Sequence, residues 1–296
     1  MKLIIELTNI NQIKRFSKLK NVKYLLVGYK GLSLNYSCSY EEDDISNIFV
    51  AAKKQKLGLI LNAERLFSDD DLLVVKQLIL NKFFDQFEYI TYSDFGFKYL
   101  MSDAGYQSKL IFRAPTYLTN SEDVNIYSDM NAYVVLSSEI SSQELIDLSK
   151  QINKKTIVDL FGQNACFYSR RLLLTNYFLY RNIDKDPSKA TYQVVEELRE
   201  DFLPIIEDET GTRILEPFNH CLCEEIKELS NVEYGIIMLR NFKNCDAEIV
   251  VKAYNALVDD ENADSFYKLM AENNIKVYKG AYNIKSVLLK GGASLE

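Results

Sequence analysis

Residues 161–217 read FGQNACFYSRRLLLTNYFLYRNIDKDPSKATYQVVEELREDFLPIIEDETGTRILEP, and the fold turns on how this stretch is taken. At more than 50 residues it is too long for an ordinary strand-to-helix connection. It holds a helix-like run at 169–181, a polar linker at 184–189 and a hairpin pattern. The hairpin is 203–206, then Glu207-Asp208-Glu209-Thr210-Gly211, then 212–215, with Asp208 and Gly211 supplying turn chemistry. Set aside as an insertion, the stretch leaves a regular alternation of β-rich runs and amphipathic helices on either side.

Working outward, strand-like runs occupy 2–7, 22–28, 57–62, 87–92, 109–113, 132–136 and 156–160 before the insertion, and 232–239 after it. Helical patterns separate most of them. A run at 11–20 follows the first strand. Ser39-Tyr40-Glu41-Glu42 reads as a capping box ahead of a helix with Ile45, Ile48, Phe49 and Ala52 on one face. Ser68 with Asp69, Asp70 and Asp71 opens another helix, its acids at the positive end of the dipole. A short helix spans 94–103. Ser141-Ser142-Gln143-Glu144 is a second capping box, leading to Leu145, Leu148 and Ile152, and residues 246–258 form a helix after the last strand. Eight strands with intervening helices predict a (β/α)8 TIM-type barrel with a long insertion after strand seven. A doubly wound open sheet is the alternative, and no glycine-rich phosphate fingerprint after the first strand supports it. The expected organisation is a barrel over 1–260, including the 161–217 insertion, then a C-terminal helix and tail over 261–296.

Hydrophobic residues at 47% and charged residues at 26% describe an ordinary globular chain able to bury a core. The net charge of −7 argues against a broad basic face for non-specific nucleic-acid binding, while leaving room for a local basic patch. Five scattered cysteines, Cys38, Cys166, Cys221, Cys223 and Cys245, show no paired zinc spacing and read as reduced thiols of a cytoplasmic protein. No apolar run approaches the roughly 20 residues of a membrane span.

Several segments in shared order resemble the peptidase U32 family. Gly28-Tyr29-Lys30-Gly31-Leu32-Ser33-Leu34-Asn35 is similar to its early glycine-to-FSLR segment, with Asn35 where arginine is usual. Thr116 and Asn120 fall like its ST…N. Leu136-Ser137-Ser138-Glu139-Ile140-Ser141 resembles LARELS, with Ser138 replacing arginine. Phe161-Gly162 and Tyr168-Ser169-Arg170-Arg171 resemble HG…YS, with Phe161 replacing histidine. Asn176-Tyr177-Phe178 and Glu207-Asp208-Glu209-Thr210-Gly211-Thr212 resemble short family members of Gram-positive bacteria. The resemblance implies a TIM-type barrel. The family name implies collagenase-like proteolysis, whereas better understood relatives help to hydroxylate tRNA or rRNA bases or the ubiquinone ring. Many of those hold a four-cysteine iron–sulfur site with one ligand three residues after YS. Leu172 stands there in this chain, and no cysteine occurs between Cys166 and Cys221. Clusters need thiolates, so the expectation is no iron–sulfur cluster, no metal and no other cofactor.

A barrel works at the C-terminal ends of its strands. Candidates there are Glu6, Asn62, Asp94, Arg113, Glu139 and the segment from Tyr168 to Arg171. Glu139 and Tyr168 are the candidate catalytic groups, with Glu139 also readable as a helix-flanking carboxylate satisfied by nearby backbone. Arg113, Arg170, Arg171 and Asn62 are the candidate ligand-binding groups, because guanidinium forks suit carboxylate or phosphate. One of the two neighbouring arginines could instead pair with the acids at 207–209. His220, the sole histidine, is expected at the start of a helix over 221–229 with a structural role. Cys221 and Cys223 read as a buried thiol and a bystander, and Lys53, Lys54 and Lys56 as a solvated helix face. The functional expectation is a component of tRNA wobble-uridine hydroxylation that meets tRNA or a small anionic ligand. Alternatives are a peptidase, or a non-catalytic partner of a longer U32 paralogue.

Overall fold

The computed structural model describes residues 1–34, 39–195, 197, 201–240 and 242–278. Asn35, Cys38 and residues 279–296 lie outside the described residues. Strands β1 (Lys2–Glu6), β2 (Val22–Tyr29), β3 (Ser39–Tyr40), β4 (Gly58–Ala63), β5 (Tyr89–Tyr92), β6 (Leu110–Phe112), β7 (Tyr133–Val134), β8 (Thr156–Gly162) and β14 (Val232–Ile237) belong to one sheet. Apart from the short β3, which pairs beside β2, these strands run parallel in the order β8–β14–β1–β2–β4–β5–β6–β7. The last seam is a parallel bridge from Val135 to Ile157, with Leu136 N donating to Ile157 O at 2.9 Å. Eight strands thus form a (β/α)8 barrel.

Helices α1 (Ile13–Phe16), α2 (Glu42–Lys54), α3 (Asp69–Leu80), α4 (Phe95–Asp103), α5 (Ser121–Asp129) and α6 (Ser142–Gln151) follow successive strands, and α8 (Asn244–Val258) follows β14. Ser141 closes the capping box on α6 that its sequence predicts, and Ser68, expected only to open a helix, also closes one on α3 with Asp71. The Ser39 box does not form. Ser39 and Tyr40 pair with Gly28 and Tyr29, so the backbone is still extended there and the helix starts at Glu42. The run at 11–20 shortens to a 3-10 turn and the single turn of α1. Helix α5, capped by Asn120, has no counterpart in the sequence reading.

The pleat divides the apolar side chains into two clusters. Leu3, Ile5, Leu25, Val27, Leu59, Leu61, Val158 and Leu160 point outward under the helices. Ile4, Leu26, Ile60, Ile111, Val135, Ile157 and Ile236 fill the interior. Interior side chains stack in layers from alternate strands, as barrel geometry requires. At the N-terminal end Tyr24, Tyr89, Tyr133 and Tyr234 form a ring, each edge-on to the next with centroids 5.4–5.6 Å apart. Above it lie Ile4, Ile60, Ile111 and Ile157, from the odd strands. Two residues further along those same strands stand Glu6, Asn62, Arg113 and Asp159, all buried. The apolar interior therefore ends in a polar layer facing the C-terminal mouth.

The insertion folds over that mouth. Strands β9 (Ala165–Ser169), β10 (Tyr192–Val194), β11 (Leu203–Asp208) and β12 (Gly211–Leu215) form an antiparallel sheet in the order β10–β11–β12–β9. Helix α7 (Leu173–Tyr180) packs beside it. The expected helix over 169–181 is thus a strand followed by a shorter helix, because 165–169 pairs with β12. The hairpin forms with a tighter turn than its sequence suggests, since Glu207 and Asp208 still pair with Thr212 and Gly211. Asp208 Oδ1 accepts from Thr210 N and Oγ1 in its turn. Gly211 sits at φ +126, where a Cβ would lie 2.1 Å from Ser169 O. His220 does not begin a helix. It lies in β13 (Asn219–Cys221), antiparallel to β8, with only a 3-10 turn at Glu225–Lys227. Beyond α8, helix α9 (Ala263–Glu272) packs Phe266 on Tyr254, and β15 (Val277–Tyr278) pairs with β13.

Candidate functional site

The polar layer is the floor of the mouth. Arg113, one residue past β6, donates from Nη1 to both Glu64 carboxylate oxygens at 2.9 and 3.0 Å. Its Nη2 donates to Asp159 Oδ1 at 2.9 Å. All three side chains are buried. One guanidinium serves two carboxylates here, and burial of the cluster is tolerated because both carboxylates are hydrogen-bonded to it. Glu6 Oε2 accepts from Leu239 N at 2.6 Å. Burial pushes the Glu6 carboxyl above its usual range, against the opposing pull of Arg240 and the Leu239 N–H. Glu6 Oε1 and Asn62 Nδ2 are buried with no hydrogen-bond partner among the described residues.

Above this floor is a cavity of about 90 Å3. Arg113, Asp159, Arg213, His220 and Arg240 line it, with residues 162–165. His220 enters from β13, opposite Gly162. Burial drives the His220 imidazole down to about 4, against the raising effect of Asp159, so it is neutral at physiological pH. Arg213 comes from β12, lies 5.6 Å over the Tyr168 ring, and donates to Thr210 Oγ1 at 2.6 Å and Asp208 Oδ1 at 3.4 Å. A larger groove, about 660 Å3, opens at the other end of the barrel near Lys53, Lys56 and Lys109. Barrel chemistry resides at the C-terminal ends of the strands, so the smaller cavity is the candidate site.

The six residues singled out from sequence are not brought together. Arg113 and Asn62 lie in the floor. Tyr168 stands on β9, its hydroxyl donating to Thr210 O at 2.9 Å. Burial raises its phenol, while Arg213, Arg65 and Arg170 pull the other way. Arg170 is exposed and leans 3.8 Å from Asp71 at the start of α3. Arg171 is exposed on the insertion, and neither of these arginines lines the cavity. Glu139 is also exposed; its charge, after burial, helps raise the neighbouring Glu216 carboxyl to about 7. Asp94 caps α4. The acids at 207–209 take neither Arg170 nor Arg171. Glu207 binds the first turn of α7, and Asp208 pairs with Arg213.

Glu64, Asp159, His220, Arg213 and Arg240 were missed or set aside. One signal was present: Glu6, Asn62, Arg113 and Asp159 each follow an interior isoleucine by two residues, so the pleat aims them at one layer.

Among the described residues the cysteines are dispersed, and Leu172 stands where the resemblance would put a cluster ligand. Cys166 is exposed on β9, Cys221 and Cys223 are buried together, and Cys245 is exposed at the start of α8. Among the described residues no three metal-ligating side chains converge. No helix among them is long and apolar enough to cross a membrane.

The family model for peptidase family U32 matches residues 16–286. A tRNA hydroxylation protein P2 of Bacillus subtilis (strain 168) is 21% identical over 216 residues, spanning 71% of this chain and 69% of the relative. The solved structure of the U32 peptidase Mk0906 superposes with a TM-score of 0.50 at 10% identity, covering 80% of this chain and 92% of that one. At that identity the structural likeness speaks to the fold.

Proposed function

The chain belongs to peptidase family U32, and from that premise we propose that it is a component of tRNA base hydroxylation, with a wobble uridine as the base. The observation that carries this reading is the match to the tRNA hydroxylation protein along more than two thirds of both chains. The mouth is compatible with it. A flipped base presents a polar edge, and the cavity offers guanidinium donors from Arg113, Arg213 and Arg240 beside the carboxylate of Asp159. The same donors suit a small anionic ligand. On this reading Arg113 and Asn62 keep their place as ligand-binding groups, and Tyr168 acts through Arg213. Glu139 contributes through its neighbour Glu216, and Arg170 and Arg171 meet the substrate outside the cavity.

The peptidase alternative rests on the family's name. Incubation with gelatin and a peptide library, against a Cys166→Ala control, separates the two. Because Leu172 and the dispersed cysteines do not fit a cluster, we place this chain in the cytoplasm beside a longer U32 paralogue that carries the cluster cysteines. Deletion of the gene followed by mass spectrometry of tRNA nucleosides is the deciding experiment. The hydroxylated uridine should disappear, and an unchanged nucleoside profile would overturn the reading.

A further inference from the structure

Helix α7 carries a surface that the cavity does not use. It buries Leu174 and Phe178, the latter edge-on to Tyr192 at 5.2 Å. Tyr177 and Tyr180 remain 52% and 81% exposed. Positions three and four apart share a helix face, so Tyr177, Tyr180 and Arg181 lie together. Arg171 precedes the helix, Lys185 follows it, and both are exposed along with Arg181. None of these three cations forms an ion pair with a described residue.

The stretch around α7 is locally basic. Residues 161–194 hold five lysines and arginines against Asp184 and Asp186, although the whole insertion, 161–217, holds seven basic residues against ten acidic ones. Asp186 is engaged by Ser188 and Lys189. Of the later acids, Glu207 and Asp208 turn inward to α7 and Arg213. Exposed aromatic rings flanked by unpaired cations suit single-stranded nucleic acid, since bases stack on the rings while phosphates meet the cations. A duplex hides its base faces and has no use for the rings. The sheet that supports α7 also delivers Arg213 to the cavity, so strand bound on α7 reaches the insertion that roofs the mouth.

We propose that the Tyr177–Tyr180–Arg181 face of α7, with Arg171 and Lys185, docks the single-stranded loop of an RNA. This rests on the tRNA reading of the mouth and adds the place where the RNA is held.

The test is fluorescence anisotropy of the full chain with a labelled anticodon stem–loop, compared with a duplex of the stem alone. The wild type should prefer the stem–loop. Tyr177→Ala with Tyr180→Ala should weaken binding roughly tenfold or more, and the Phe pair should retain it. Arg171→Gln, Arg181→Gln and Lys185→Gln together should flatten the salt dependence. Circular dichroism checks that each variant is folded. Equal affinity of the Ala pair and wild type overturns the proposal while leaving tRNA hydroxylation standing. A wild type that does not bind the stem–loop overturns it too, and the nucleoside profile of the deletion strain then judges the broader reading alone. An Ala pair that binds RNA normally but loses self-association assigns the face to a protein partner and overturns the proposal.

Discussion

Arg113 Nη2 donates to Asp159 Oδ1 at 2.9 Å, tying the fifth barrel strand to the seventh across the interior. The same guanidinium holds Glu64, so its removal takes an ion-pair partner from two buried carboxylates at once. Breaking a buried ion pair from one side costs about 3–5 kcal/mol. Arg113→Met should lose at least that much in urea denaturation, and also tRNA hydroxylation in cells. A loss under about 1 kcal/mol would show that the carboxylates find other partners or protonate easily.

His220 gives a clean pH signature because it is the sole histidine. Its folded value, about 4, lies below the unfolded 6.5. The neutral form is therefore favoured by folding. That stability is present above 6.5 and is lost as pH falls toward 4, on the order of 3 kcal/mol in all. The imidazole proton resonance should stay constant from pH 8 down to about 5. A midpoint near 6.5 would contradict the burial. His220→Gln should remove much of the extra loss of stability on acidification.

How much of this was legible follows the range of the interactions. The barrel was readable because each strand announces itself in five to eight neighbouring residues, and Ser68 and Ser141 mark helix starts locally. Helix α5 buries only Val124 and Ser128, so it shows little apolar period. Strand β9 exists through pairing with residues more than 40 positions away, which no local pattern reports. His220 is a strand residue for the same reason. Arg170 and Arg171 are recognisable as cations, but the sequence does not say which way they point. Arg213 is buried because Thr210 and Asp208 receive it, and that reception is created by the hairpin.

The tyrosine ring at the N-terminal end should contribute packing more than hydrogen bonding. Tyr24 is buried against both Tyr89 and Tyr234. Tyr24→Ala opens a hole in that layer and should cost on the order of 3 kcal/mol, while Tyr24→Phe keeps the ring and should cost about 1 kcal/mol or less. Thermal denaturation of the two variants distinguishes these roles. Equal losses would mean that the hydroxyl network, with Glu88 and Tyr234, dominates.

Glu207 should govern the insertion without governing the barrel. Its carboxylate accepts from Leu174 N at 2.7 Å and from Thr175 N and Oγ1 at 2.9 and 2.6 Å, and also binds the Thr212 hydroxyl. Burial alone would raise its pKa, yet these hydrogen bonds hold the carboxyl below the usual range. It supplies the cap that Leu172, the N-cap residue of α7, has no side chain to provide. Glu207→Ala leaves the first N–H groups of α7 unmatched and removes the bond to β12, a loss of about 2 kcal/mol. The helix lies outside the barrel's closed ring of strands, so the loss should be local. Hydrogen exchange should quicken at Leu174 and Thr175, and limited proteolysis should begin within 171–195, while amides of the barrel strands keep their protection. Protection lost equally in β1 and β4 would show that the insertion and the barrel unfold as one unit.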